Sequence, residues 1–270
     1  MKRRGRISKI IYRAYVALIM LFLYSPIAVL ILFSFNAGES RGKFAGFSLR
    51  WYKDLMQRDA LLGSFRNTLI VAAIASVVAT LIGTYAAIVI HKMPSIMRNT
   101  TIKVANIPML NAEIVTGIAF MLFFGAISVP LGFSTILIAH ITFNVPYVIL
   151  SVLPKLRQLN KSTYEAALDL GATPAMAFRK IILPDILPGI ISGLLIAFTL
   201  SLDDFIISFF TTGSGVSTLS ITIYSMARLG ISPKINALST LMFIVVLVLL
   251  LIVNKRSATN GRNEAPLINI

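Results

Sequence analysis

Three acidic residues, Glu113, Asp203 and Asp204, lie inside stretches of sequence that are otherwise apolar. These stretches contain no Lys or Arg, so we expect the three carboxylates to have no cationic partner from this chain at the same depth. An ionised carboxylate near the centre of a bilayer costs roughly 2.5–3.5 kcal/mol on insertion scales, and an unpaired one therefore needs a reason. Two explanations remain: the carboxylates line a wet path for a cationic substrate, or they pair with a neighbouring subunit.

Asp203 and Asp204 are adjacent, and successive residues of a helix point about 100° apart. One of them can therefore face a path while the other caps a helix or meets solvent. The aromatic rings of Trp51, Tyr147 and Tyr224 could stack on a cation, but the sequence does not choose among them.

Uncharged polar residues in the same stretches indicate packing more than chemistry. We expect Asn111 and Asn144 to form hydrogen bonds between helices. The chain has no cysteine and only two histidines, so we expect no metal site, redox centre or cofactor. We interpret His91 as a structural residue at a membrane edge and His140 as one that is hydrogen-bonded inside a helix bundle.

Catalytic motifs are missing from the sequence. The G-x-x-x-x-G-K-[ST] loop that binds ATP phosphates does not occur, and no Ser/His/Asp or His/Glu grouping has a plausible spacing. We therefore predict that the chain is not an enzyme, and that any energy it uses comes from another subunit.

The composition indicates an integral membrane protein: 57% of the 270 residues are hydrophobic, and the mean hydropathy is +0.85. We predict an all-α, polytopic protein with a single transmembrane domain over residues 1–270. Gly189 and Gly193 are spaced for close helix packing, whereas Pro108, Asn111 and Glu113 interrupt the third span. The six predicted transmembrane helices cover residues 14–35, 67–90, 104–129, 131–153, 186–210 and 235–254.

Lys and Arg are concentrated in alternate loops, and this sets the predicted orientation. They are more numerous in 1–13, 91–103, 154–185 and 255–270 than in 36–66 and 211–234. Both termini are therefore expected in the cytoplasm. The formal charge of +15 reflects this membrane topology, and we expect no nucleic-acid partner. In segment 36–66, Trp51 is typical of a membrane–water interface, either as a plain surface segment or as a contact for a soluble partner.

The longest predicted cytoplasmic loop, residues 154–185, has the local signals of two short helices. Ser162 and Glu165 have the spacing of a capping box, and Gly171 suits the left-handed residue that closes a helix. Thr173 followed by a proline predicts the start of a second helix, which Pro184 should end.

This loop also carries a family signature. Its sequence resembles the EAA loop of permease subunits of bacterial ABC importers. The matching residues are Glu165, Ala166 and Ala167, then Gly171, Ile181, Leu183 and Pro184. The resemblance extends from Tyr24-Ser25-Pro26-Ile27 through Phe47-Ser48-Leu49-Arg50-Trp51-Tyr52 to Ser201-Leu202-Asp203-Asp204, and is strongest to the spermidine/putrescine permeases.

The resemblance implies a type I importer fold in the bacterial inner membrane. Two permeases, here expected to form a heterodimer, would stand on two ATP-binding cassette ATPase subunits beneath an extracytoplasmic solute-binding protein. The EAA loop would be the coupling helix that contacts one ATPase. The substrate would be a polyamine carried by alternating access, and Glu113, Asp203 and Asp204 would belong to its path.

Two sets of alternatives remain open at this point. The chain could be a permease for another small solute, namely thiamine, ferric iron or an aminophosphonate. More remotely, it could be a channel or a secondary carrier that acts alone.

Overall fold

The computed structural model describes residues 2–39, 43–57, 59–229 and 233–262. Helices dominate these ranges, and their β structure is limited to an isolated antiparallel bridge between Asn36 and Phe47. The predicted all-α class is therefore confirmed. The helices are α1 (Lys2–Ser34), α2 (Arg50–Met56), α3 (Asp59–Lys92), α4 (Ser95–Leu110), α5 (Glu113–Ala126), α6 (Phe133–Gln158), α7 (Lys161–Asp169), α8 (Pro174–Ala177), α9 (Leu183–Asp203), α10 (Ile206–Thr211), α11 (Leu219–Leu229) and α12 (Pro233–Arg262), and a π-helical segment, Phe178–Ile182, joins α8 to α9.

Four helical stretches are long and apolar enough to cross a membrane. They are Tyr12–Ser34, Leu61–Lys92, Phe133–Gln158 and Pro174–Asp203. The shortest has 23 residues, which at 1.5 Å per residue covers about 35 Å. That exceeds the roughly 30 Å of hydrocarbon in a bilayer, so a polytopic membrane protein is confirmed.

The predicted third span, 104–129, is not one straight helix. It corresponds to α4 and α5, which are bent by 99° at their junction. The cause is local, because Asn111 and Ala112 both have extended backbone angles, with ψ of 150° and 134°. The chain therefore turns at the polar interruption and not at Pro108, which lies inside α4.

The sixth predicted span, 235–254, lies within α12. In the part of α12 with described side chains, the apolar stretch Pro233–Val248 is shorter than the four long spans. Counting the bent pair as one span gives up to five, so the total of six stays a prediction.

The predicted span 186–210 does not coincide with one helical run. The helical run begins at Pro174 and ends at Asp203. Pro184 does not end the loop helix, because the chain continues from α8 through the π-helical segment into α9. Leu183 N–H bonds to the carbonyl of Phe178 in the wider i→i−5 pattern, and this change of register directly precedes Pro184, which has no N–H to contribute.

The chain separates into two units, Met1–Leu62 with Ile223–Val245 and Gly63–Thr222 with Val246–Ile270. The predicted single domain over 1–270 stays a prediction. In the second unit, α6 packs closely against glycines of two other helices. A Cβ at Gly83 would lie 2.7 Å from the Cβ of Val148, and one at Gly189 would lie 2.9 Å from the carbonyl oxygen of Ser151. The predicted packing role of Gly189 and Gly193 is confirmed, because a Cβ at Gly193 would also approach Val148, to 3.2 Å.

The first unit has a small polar core around Asn36. The Asn36 side chain accepts a hydrogen bond from the Ala45 N–H at 2.7 Å and donates one to the Lys43 carbonyl at 3.0 Å. The backbone carbonyl of Asn36 accepts the Trp51 indole N–H at 2.7 Å. Trp51 is only 2% exposed, so its ring closes the core of this unit, and its position at a membrane–water interface stays a prediction.

Candidate substrate path and coupling surface

Glu113 lies at the bend between α4 and α5. It is the first residue of α5, and its side chain is exposed. A carboxylate in the first turn is stabilised by the free N–H groups at the helix N-terminus.

The adjacent aspartates have different environments. Asp203 is the last residue of α9 and is exposed. Its backbone carbonyl accepts a long hydrogen bond of 3.5 Å from Ser220, but in the described part of the chain nothing binds its carboxylate. Asp203 therefore presents a free negative charge at the end of a helix.

The Asp204 carboxylate is used by the protein itself. It accepts hydrogen bonds from the backbone N–H groups of Ile207 at 3.2 Å and Ser208 at 2.8 Å, and so caps α10. His140 Nε2 lies 3.4 Å from this carboxylate, with side-chain exposures of 2% for His140 and 6% for Asp204. The expectation that no cationic partner lies at that depth stays a prediction, but Asp204 does have a polar neighbour in His140 of α6, which is cationic only if protonated.

His140 also lies 3.0 Å from the Ser208 hydroxyl. Its predicted role as a bonded histidine inside the bundle is confirmed, but its contact with Asp204 was missed. No sequence signal joins His140 and Ser208, which are 68 residues apart. Asn144 likewise donates a bond to Ser201 at 2.7 Å, as predicted, whereas Asn111 is exposed at the bend and makes no such bond among the described residues.

The three candidate aromatic residues have different environments. Trp51 is buried, and its ring has the Arg50 guanidinium 5.2 Å and the Lys234 Nζ 5.6 Å from its centroid. The Trp51 ring thus already contacts two cations of its own unit. Tyr147 packs against Phe143 at 5.3 Å, and Tyr224 is 43% exposed.

The predicted coupling loop forms the expected helix–turn–helix with one change at its start. Asn160, and not Ser162, caps α7 by accepting the Ser162 N–H at 3.0 Å. Gly171 has φ of +84°. The N–H groups of Gly171 and Ala172 bond back to the carbonyls of Leu168 and Ala167, which is the Schellman pattern of helix ends. Thr173 caps α8 by accepting the Met176 N–H at 3.3 Å, as predicted.

The matching residues of the EAA pattern divide into an apex and a base. At the apex Glu165, Ala166 and Gly171 are exposed and Ala167 is half-buried. At the base Ile181 and Leu183 are half-buried and Pro184 is exposed. Leu170, which sequence reasoning did not single out, is 89% exposed beside Gly171.

A cavity of about 550 Å³ lies behind this apex. Glu165 and Ile181 line it from the loop, His91 and Lys92 from the end of α3, and Arg157 from the end of α6. Glu165 thus borders both the exposed apex and a mostly apolar cavity that Lys92 and Arg157 also line.

Comparison with known proteins places these features in a family. Residues 79–257 match the model of the family described as "Binding-protein-dependent transport system inner membrane component". The chain is 40% identical over 227 residues to the putrescine transport system permease protein PotI of Escherichia coli K12, covering 82% of this chain and 81% of that protein. It is 34% identical over 245 residues to the spermidine/putrescine transport system permease protein PotC of the same strain, covering 91% and 93%.

The fold agrees with that match. A crystal structure of a bacterial ABC transporter involved in the import of the acidic polysaccharide alginate contains a chain that is similar with a TM-score of 0.74. The identity is 17%, and the match covers 94% of this chain and 97% of the other. At this identity the likeness concerns the fold alone. The alternative of a channel or carrier acting alone is overturned, because the matched family is binding-protein-dependent. The chain belongs to the family of inner-membrane components of binding-protein-dependent transport systems, as a permease subunit and not an enzyme.

Proposed function

We propose that this chain is a transmembrane permease subunit of an ATP-driven ABC importer for polyamines, spermidine or putrescine. The names of the relatives support this substrate class, since both PotI and PotC are permeases for polyamines. The substrate crosses by alternating access, and both termini lie in the cytoplasm.

The observation that carries the proposal is the pair of exposed carboxylates at helix ends. Glu113 begins α5 and Asp203 ends α9, and in the described part of the chain neither has a cationic partner. A polyamine is an extended polycation whose ammonium groups would supply the missing partners. Charge-assisted hydrogen bonds of this kind are roughly twice as strong as neutral ones. Asp204 serves this path indirectly, through the cap of α10.

The partners follow from the apex of the coupling loop. One of two ATP-binding cassette ATPase subunits contacts Glu165, Ala166, Leu170 and Gly171, and pushes α8 and α9 when it binds ATP. A second, different permease completes the path, and an extracytoplasmic solute-binding protein delivers the substrate from the other side.

The test is uptake by the complete importer in proteoliposomes. The chain is assembled with its second permease and its ATPase subunits, and supplied with the binding protein and labelled putrescine or spermidine. We expect uptake that needs internal ATP and is reduced by unlabelled polyamine but not by thiamine, ferric iron or an aminophosphonate. Competition by one of those three solutes, with none by polyamines, would reject the polyamine assignment. Uptake without the ATPase would reject the ATP-driven mechanism.

A further inference from the structure

Polar side chains of α6 bind both sides of the junction between α9 and α10. Asn144 bonds to Ser201 of α9 at 2.7 Å, before the junction. His140, about one turn away, contacts Asp204 and Ser208 at 3.4 and 3.0 Å. Beyond the junction, the Thr135 hydroxyl lies 2.7 Å from the carbonyl oxygen of Thr211, near the end of α10. One helix therefore holds both arms of a broken helix.

The junction itself depends on Asp204. Its backbone has ψ of 124°, which is extended and ends α9. Breaking a helix leaves the first N–H groups of the next helix without partners. The Asp204 carboxylate accepts two of them, from Ile207 and Ser208, and His140 Nε2 lies 3.4 Å from it. A carboxylate only accepts, so a proton on His140 Nε2 favours this contact.

The break determines what covers Asp203. In an uninterrupted helix the side chain four residues later lies over a given residue on the same face. For Asp203 that residue is Ile207. Because α10 turns away, Ile207 instead lies fully buried in a cluster with Phe124, Ala139 and Phe143, and Asp203 stays exposed.

We propose that His140 is a positioning residue of the transport path: by holding the Asp204 cap, it keeps α9 and α10 apart and leaves the Asp203 carboxylate uncovered. That the uncovered carboxylate meets a polyamine rests on the proposed function, but its exposure does not. His140 itself is 2% exposed and acts only through the aspartates.

The first experiment measures exposure without any substrate. The chain has no native cysteine, so Asp203→Cys places one thiol in the tagged subunit of the assembled importer in lipid nanodiscs. Its reaction rate with a charged, water-soluble maleimide is compared between native His140, His140→Leu and His140→Gln. Leucine removes the donor, whereas the Gln amide nitrogen can take the place of Nε2. We expect His140→Leu to slow labelling about threefold or more, a change within the range of interaction free energies measured between contacting residues. We expect His140→Gln to restore the rate.

An equal rate in His140→Leu would overturn the proposal. So would a faster rate, because it would show that α10 frays instead of rejoining α9 over position 203. A rate that stays slow in His140→Gln would show that leucine acts through packing and not through the missing donor, which also overturns it.

The second experiment uses polyamine uptake in a double-mutant cycle. His140→Leu should raise KM at an unchanged amount of assembled importer, and should add almost nothing in an Asp203→Asn background, since its effect passes through that carboxylate. Full additivity would overturn the positioning role. If the native importer takes up no polyamine at all, the proposed function fails, while the labelling result still decides the role of His140.

Discussion

Substitutions at Gly171 separate the shape of the coupling turn from its contact with an ATPase. The residue has φ of +84°, and a Cβ built there meets no heavy atom of this chain within 4 Å. Within the chain, the cost of a side chain is therefore backbone strain alone, roughly 1–2 kcal/mol for a residue such as alanine in the left-handed region. Asn and Asp tolerate that region better, so their effects report mainly on what lies opposite the turn.

Three variants make the comparison: Gly171→Ala carries the most strain, Gly171→Asn a longer neutral side chain, and Gly171→Asp the same size with a charge. If an ATPase packs closely on the apex, the longer side chains cost about 1–3 kcal/mol through overpacking. An unpaired buried charge costs more than an amide. We expect Asp to weaken ATPase binding at least about tenfold beyond Asn, which is about 1.4 kcal/mol.

The assay is the dissociation constant of the ATPase from the permease pair in nanodiscs, together with ATP-driven uptake. Equal behaviour of Asn and Asp, with Ala worse than both, would refute the docking of an ATPase at this turn. The strain of the turn would then be the whole effect. Unchanged binding and uptake in Gly171→Asp would refute the coupling role altogether.

Three further predictions concern the path carboxylates, the cap of α10 and the packing of α9. Glu113→Gln and Asp203→Asn should each lower polyamine uptake severalfold with unchanged assembly. Normal uptake in both variants would remove the two residues from the path. Asp204→Ala should lower the free energy of unfolding of the purified complex by about 0.5–2 kcal/mol, the usual cost of a lost helix cap. Gly189→Ala should destabilise the complex by about 1–3 kcal/mol, because its Cβ would lie 2.9 Å from a backbone carbonyl oxygen of α6. The matched control is Gly125→Ala, since a Cβ at Gly125 meets no heavy atom within 4 Å. Equal melting temperatures for the two alanine variants would show that α6 and α9 do not pack as described.

Features that depend on neighbouring residues were predictable from the sequence. The left-handed Gly171 and the Thr173 cap follow from residues within one turn of each other, and both are present. The start of α7 was misplaced because the capping-box spacing favours Ser162, whereas in the structure the side chain of Asn160 accepts the bond from the Ser162 N–H. The bend after Leu110 was visible as a polar interruption, but its angle depends on two extended residues that carry no distinctive signal.

Features that depend on distant contacts were not predictable. Asp203 and Asp204 have the same side chain, so their sequence cannot show which one is free. The difference comes from His140 on α6, which lies close to Asp204 and not to Asp203 among the contacts of the described residues. Likewise, Pro184 is a reliable sign of a helix end, yet the chain passes through it because the π-helical segment has already shifted the hydrogen-bond register.

One helical run connects the coupling loop to the carboxylate that we assign to the path. Pro174–Asp203 has 30 residues, and at 1.5 Å per residue it is about 45 Å long. Gly189 and Gly193, in the middle of this run, pack so closely against α6 that an added Cβ at either position would be crowded. A push at Pro174 must therefore either carry α6 along with α9 or be absorbed before Gly189. Within this run the π-helical segment Phe178–Ile182 is where the register changes, and such segments often mark functional sites. We therefore expect this π-helical segment, which lies between Pro174 and the close contact of Gly189, to decide whether an ATPase stroke reaches Asp203.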